Sequence, residues 1–279
     1  MFSNDVSLRD IQQLELKMLQ FLDQICEKYN LKYYLCGGTL IGAAREKGFI
    51  PWDDDVDVMM PRKDYEWLLA HRDEIFTDKY FLYDYKIDKK ENNPRRIPAL
   101  CDKSMRILYS HGNVSREQYI LLDIFVLDGM PKGKIRRNLH YYHFLVWHAL
   151  LQLSWYDTTV NQYRADRSIL EKIIIKLINS IKYRPNWDSQ KLVQKENRIL
   201  AKYPWECSDY VCSLLGPRKR KEILPKKYFD NTIKLKFENL MLNAPAMYHE
   251  ELAHYYGDYM IPPTSKEEKE LHHRIKIIK

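Results

Sequence analysis

From Ser7 onward, apolar residues recur at Leu8, Ile11, Leu14, Met18, Phe21, Leu22 and Ile25. That spacing is close to 3.6 and predicts a helix ending near Asn30. Ser7 and Asp10 stand at the separation of a capping box. The period then changes. Leu31 to Cys36 reads as a short strand cut off by Gly37-Gly38, and Thr39 to Arg45 as a helical turn opening on those glycines. Lys47 to Trp52, with Gly48 and Pro51, reads as a loop. Asp55 to Met60 alternates acid and apolar bulk as a strand would, and Pro61 closes it. Asp64 to His71 reads as a helix. Tyr80 to Tyr85, Ile97 to Cys101, Met105 to Tyr109 and Tyr119 to Val126 read as strands, with a turn at Asn92-Asn93-Pro94.

Beyond Pro131 the pattern becomes helical, over Arg136 to Leu153, Ser168 to Ile181 and Ser189 to Tyr203. The first of these is apolar on most sides between Leu139 and Leu153. Ile169 to Tyr183 is amphipathic and carries Lys172, Lys176 and Lys182. Two readings stand: a helical insertion packed on the sheet, or an interfacial helix resting on a bilayer. A strand at Ile233 to Phe237, a helix near Tyr248 to Tyr256 and a basic tail complete the pattern.

Composition narrows the class. With 279 residues, 45% hydrophobic and 30% charged, the chain can bury a full core as one domain with an insertion or as two packed lobes. The net charge of +7 is dispersed, which suits an anionic partner but forms no basic, aromatic-interleaved patch for nucleic acid. Five cysteines without a CxxC pair point to reduced thiols, with neither a disulfide framework nor a thiolate zinc site. Asp5, Arg9, Asp10 and Glu15 interrupt any apolar leader, and His140, His143 and His148 interrupt the longest apolar run. The expectation is a cytoplasmic protein, with contact at the inner face of the membrane left open.

The chemistry concentrates at Trp52-Asp53-Asp54-Asp55-Val56-Asp57-Val58. In a strand Asp55 and Asp57 share one face, while Val56 and Val58 face a core. Adjacent carboxylates repel unless a divalent cation bridges them or one takes a proton. Their oxygens suit Mg²⁺ or Mn²⁺. Asp123 is an isolated acid in the apolar run Leu121 to Val126, costly to bury without a partner. If the two strands are neighbours, Asp55, Asp57 and Asp123 make a two-metal phosphoryl-transfer site. Gly37-Gly38-Thr39 is suited to close approach of a phosphate, and Arg45 and Lys47 to neutralising it. For Asp53 and Asp54 a plain solvated loop or helix cap stands as the alternative to a part in the site.

Gly37-Gly38-Thr39-Leu40-Ile41-Gly42-Ala43-Ala44-Arg45, with Lys47-Gly48-Phe49-Ile50-Pro51-Trp52-Asp53-Asp54-Asp55-Val56-Asp57-Val58, resembles the signature of the LicD phosphocholine transferases. Met60 to Tyr65, Leu122 to Phe125, Phe237 to Leu240 and Tyr256 to Met260 continue the resemblance. It implies a nucleotidyltransferase-like α/β (α+β) fold, a small mixed sheet flanked by helices. A catalytic core over 1–130 would be followed by a helical insertion over 131–215, facing acceptor or membrane. A segment over 216–279 would complete the substrate site.

The resemblance implies metal ligation by Asp55, Asp57 and Asp123. It also implies transfer of phosphocholine from CDP-choline to a sugar hydroxyl, releasing CMP. The acceptor would be a cell-surface glycan or its lipid-linked precursor, of the teichoic acid or lipopolysaccharide type. Relatives of the fukutin type use other CDP-alditols. Trp52, Tyr256 and Tyr259 are aromatic candidates for the choline cation, with Asp258 as counter-charge. The competing readings are a nucleotidyltransferase acting on an NTP and a nucleotide- or glycan-binding module.

Overall fold

The computed structural model describes residues 7–76, 79–86, 95–111, 114–155, 188–263 and 275–278, with isolated positions between 172 and 180. Helix α1 (Leu8–Tyr29) starts where its sequence cap sets it. Ser7 Oγ accepts from Asp10 N, and Asp10 Oδ2 accepts from Ser7 N at 2.8 Å. It stops at Asn30, whose φ of 53° breaks the helix. Its buried stripe, including Met18, Leu19 and Leu22, lies on Val56, Val58, Met60, Leu100, Leu122 and Ile124 of the sheet.

The sheet runs β1 (Tyr34–Leu35), β2 (Val56–Pro61), β5 (Val114–Met130), β4 (Ala99–His111), β10 (Ile275–Ile278). Strand β3 (Tyr80–Tyr83) adds to β4. The far end of β5 carries β6 (Tyr210–Cys212) and then β7 (Ile223–Pro225). The β2–β5 pair is parallel, and the other described pairs are antiparallel. Between β1 and β2 the chain forms α2 (Gly37–Ile41), widening into a π turn over Gly42–Glu46. Helices α3 (Arg62–Ala70) and α4 (Arg72–Ile75) follow β2. Helices α5 (Lys134–Ser154) and α6 (Ser189–Leu200) pack together through Tyr141, Phe144, Ile199 and Leu200. A hairpin of β8 (Thr232–Phe237) and β9 (Leu240–Pro245) precedes α7 (Tyr248–Tyr256). The hairpin puts Phe237, Leu242 and Ala244 into the core beneath α1.

Several expectations need correcting. The two strands read at Ile97 to Cys101 and Met105 to Tyr109 are one strand, β4, with a register shift between Asp102 and Arg106. The polar Asp102-Lys103-Ser104 is a bulge, not a break. The buried Asp102 carboxylate accepts from Ser104 N at 2.8 Å and meets Lys79 Nζ at 3.6 Å. Strand β5 extends well past Tyr119 to Val126 at both ends, because β4 and β6 each pair with part of it. The Leu31 to Cys36 strand pairs only at Tyr34 and Leu35. Helix α6 ends at Leu200 rather than Tyr203. The Asn92-Asn93-Pro94 turn lies outside the described residues. So does the Ile169 to Tyr183 stretch, except for helical positions Lys172, Ile173, Lys176 and Ser180.

Candidate active site

The site is set by one turn and one strand pair. Gly37 follows extended Cys36 with φ +57°, a left-handed conformation that favours glycine. Cys36 N donates to Asp57 O at 3.2 Å, and Asp57 N donates to Thr39 Oγ1 at 2.9 Å. These bonds press the turn onto the acids. A Cβ on Gly37 would lie 2.9 Å from Asp57 Oδ2, and one on Gly38 would overlap Asp53 Oδ2. Across the parallel pair Asp57 is the register partner of Asp123, so both side chains project from the same face of the sheet. That face is opposite the α1 core, and Met59 carries it on into a second cluster with Tyr34, Cys36 and Tyr255.

Asp53, Asp54 and Asp55 form the other wall. Each offers an oxygen, and these oxygens lie within 4.8 Å of one another. Asp53 is no solvated loop residue: it is 4% exposed, and its carbonyl accepts from Gln12 Nε2 at 3.0 Å. Burial, then Asp55 and Asp54, push its carboxyl up to about 8. Burial, then Asp55 and Asp53, hold Asp57 well above the ordinary carboxylate range. Buried Glu15 of α1 is raised by burial and then by Asp55, Asp53, Asp54 and Asp57. This crowded set of carboxylate oxygens is a donor set that fits a hard divalent cation, which would relieve the repulsion.

The cations that act on Asp57 were not anticipated. Arg95 is ion-paired with Asp123, and the charges of Arg95 and Arg218 both favour ionised Asp57. Arg218 stacks on Tyr255 and Tyr256 at 4.7 and 4.6 Å and donates to the Tyr256 hydroxyl. Neither arginine adjoins the acids in sequence: Arg95 precedes β4 and Arg218 follows β6. The basic residues predicted to serve phosphate are placed differently. Arg45 donates to Glu46 Oε1 at 2.6 Å and to the Tyr259 carbonyl at 2.8 Å, and Lys47 Nζ donates to the Ala44 carbonyl.

Among the aromatic candidates, Tyr256 is 39% exposed and feels Asp57 and Asp53, which with burial oppose ionisation of its phenol. Trp52 is half-buried against the main core. Tyr259 is buried in that core and its hydroxyl is bonded to His249, while Asp258 is exposed. The tip of the β8–β9 hairpin closes the loop before the acids. Glu238 N donates to Lys47 O at 2.7 Å, and its carboxylate takes both Arg9 Nη groups at 3.0 and 2.8 Å.

Glu251 gives a pH prediction. It is fully buried in α7, and neither of its oxygens meets a donor among the described residues. Burial pushes its carboxyl up to about 8, from an ordinary value of 4.5. The folded state therefore holds a proton that the unfolded chain gives up, and stability falls as pH rises between those values. Glu251→Gln removes this contribution. Thermal melts across that window are expected to fall less steeply for the variant than for the wild type; parallel curves would refute the assignment.

Compared with known proteins, the chain is 31% identical over 274 residues to the lipopolysaccharide cholinephosphotransferase LicD of Haemophilus influenzae, covering 96% of each chain. The chain belongs to the LicD family. Residues 30–100 match the LicD/FKTN/FKRP nucleotidyltransferase domain. That LicD segment holds the Gly37 turn, Asp53 to Asp57 and Arg95, whereas Asp123 and Arg218 lie beyond it. The chain is also 38% identical to uncharacterized proteins of two Rickettsia species. The match covers 113 residues in Rickettsia typhi, 40% of this chain and 33% of that one. In Rickettsia prowazekii it covers 141 residues, 50% and 45% respectively.

Proposed function

We propose that this LicD family protein transfers phosphocholine from CDP-choline to a sugar hydroxyl of a cell-surface glycan or its lipid-linked precursor, with CMP as the leaving group. The observation that carries the reading is the parallel register of Asp57 and Asp123 beneath the Gly37 turn, beside the Asp53–Asp55 wall. Asp55 and Asp57, with Asp123, would hold Mg²⁺ or Mn²⁺, and the closeness of Asp53 and Asp54 adds them to the donor set. The bound cation would supply charge neutralisation on the diphosphate and activation of the hydroxyl.

The protein's own groups account for the remaining steps. Lacking a Cβ, Gly37 and Gly38 let the turn lie directly against the Asp57 and Asp53 carboxylates, where the diphosphate would bind. Arg218 is the cation best placed to follow charge moving onto CMP, because it already acts on Asp57 and lies on Tyr256. Asp123, oriented by Arg95, takes the acceptor's proton as the acceptor oxygen bonds to phosphorus and the bond from phosphorus to the CMP oxygen breaks. With Tyr259 in the core, Trp52 and Tyr256 remain to face the quaternary ammonium.

Incubation with Mg²⁺ and CDP-choline, CDP-ribitol, CDP-glycerol or CTP, with and without an amino-sugar glycan, tests this reading. Acceptor-dependent CMP release from CDP-choline is the expected result. Pyrophosphate from CTP would replace the reading with nucleotidyl transfer. Nucleotide binding without turnover would leave only a binding module.

A further inference from the structure

Helix α5 has two apolar faces, and the fold uses one. His140, Tyr141, Phe144 and Leu151 are buried. On the opposite side Ile135, Leu139, Tyr142 and Val146 are 77%, 65%, 54% and 57% exposed. At 100° per residue these four fall within an arc of about 60°. An unbroken exposed stripe of this kind marks a contact surface rather than scattered surface apolarity.

The charge around the stripe has one sign. Lys132, Lys134 and Arg136 are exposed at its N-terminal end, and the helix from Lys134 to Ser154 contains no acidic residue. These cations crowd the positive end of the helix dipole, which is unfavourable in water and which a layer of anions would offset. Arg220 extends the basic rim from another part of the chain. It donates to Asn138 Oδ1 at 2.5 Å and lies over Tyr142 at 6.0 Å, between exposed Lys219 and Lys221. A second copy of this helix would bring no acid to meet these cations.

We infer that the outer face of α5, with the Lys219–Lys221 segment, docks on an anionic lipid surface, Ile135, Leu139, Tyr142 and Val146 entering the headgroup boundary and the basic rim binding lipid phosphates. An apolar face flanked by cations is the composition of an interfacial helix, and the two contributions reinforce each other. Among the described residues no helix is long and apolar enough to cross a membrane, so attachment here is peripheral. Arg218, at the candidate active site, lies two residues from Arg220 on the rim, so the docked face adjoins the site.

The test is flotation of the full-length protein with phosphatidylcholine vesicles, with and without phosphatidylglycerol. The wild type is expected to float with the anionic vesicles and to be released by salt. Leu139→Glu/Val146→Glu should abolish flotation while retaining the wild-type melting curve. Lys134→Gln/Arg136→Gln, which leaves the apolar stripe untouched, should weaken binding roughly twenty-five-fold, about fivefold for each cation. Absence of wild-type flotation would overturn the inference, as would unchanged binding by the charge variant. A dimer broken by Leu139→Glu/Val146→Glu and indifferent to vesicles would assign the face to a second copy instead.

Discussion

Asp57→Asn is expected to lower CMP release by about three orders of magnitude or more while the protein stays folded. The backbone of residue 57 makes the structural contacts, accepting from Cys36 and donating to Thr39, and the amide leaves both in place. The change is loss of one charge among Asp53, Asp54, Asp55 and Asp57. In the free protein that charge is unfavourable: burial, Asp55 and Asp53 all raise the Asp57 carboxyl. A carboxyl raised on folding contributes stability that is lost as pH rises, and the asparagine does not titrate. The variant should therefore melt at or above the wild-type temperature at neutral pH, and more so under alkaline conditions. Loss of function with gained stability separates a site residue from a structural one. An active Asp57→Asn protein, or an inactive one that melts far below the wild type, would refute the assignment.

The second large effect is on folding. Arg62, at the start of α3, meets the Asp128 carboxylate through Nε and Nη2, the latter at 2.7 Å, and reaches Glu66 Oε1 at 2.9 Å. Asp128 is 2% exposed near the end of β5. Arg62→Met keeps much of the aliphatic bulk but leaves that carboxylate buried without its main partner. Breaking such a pair costs about 3–5 kcal/mol, which for a chain of this size lowers the melting temperature by roughly 10 °C. Arg62→Met/Asp128→Leu should recover most of the loss, because the cost lies in the uncompensated charge rather than in the absent attraction. Differential scanning calorimetry of the two variants decides it. If the double variant is as unstable as the single, packing by the guanidinium stem is the cause.

The contrast between these residues shows what could be read before folding. Asp57 announces itself by position: an acid between Val56 and Val58, in a strand whose period puts acids on one side and valines on the other. The cap at Ser7 and the stripe of α1 are legible for the same reason, since their partners lie within one or two turns. Asp102-Lys103-Ser104 misleads because a bulge and a loop have the same local composition. Only pairing with β5 on one side and β3 on the other makes the segment a strand. Asp53 is equally illegible in sequence. It opens a run of three aspartates that looks solvated, but Gly38 and Gln12 enclose it.

The acid-bearing strand, the glycine turn before it, the capped first helix and the family signature are all legible in the amino-acid sequence. All rest on short-range spacing, which backbone geometry converts directly into faces and turns. The fold was needed to show that Asp57 and Asp123 stand in register, that Arg95 and Arg218 act on the acids, and that Tyr259 belongs to the core. It also shows which apolar side of α5 is used up by packing and which stays exposed. The physical reason is the same throughout. Burial and charge pairing depend on which distant segments the sheet brings together, and no local period carries that information.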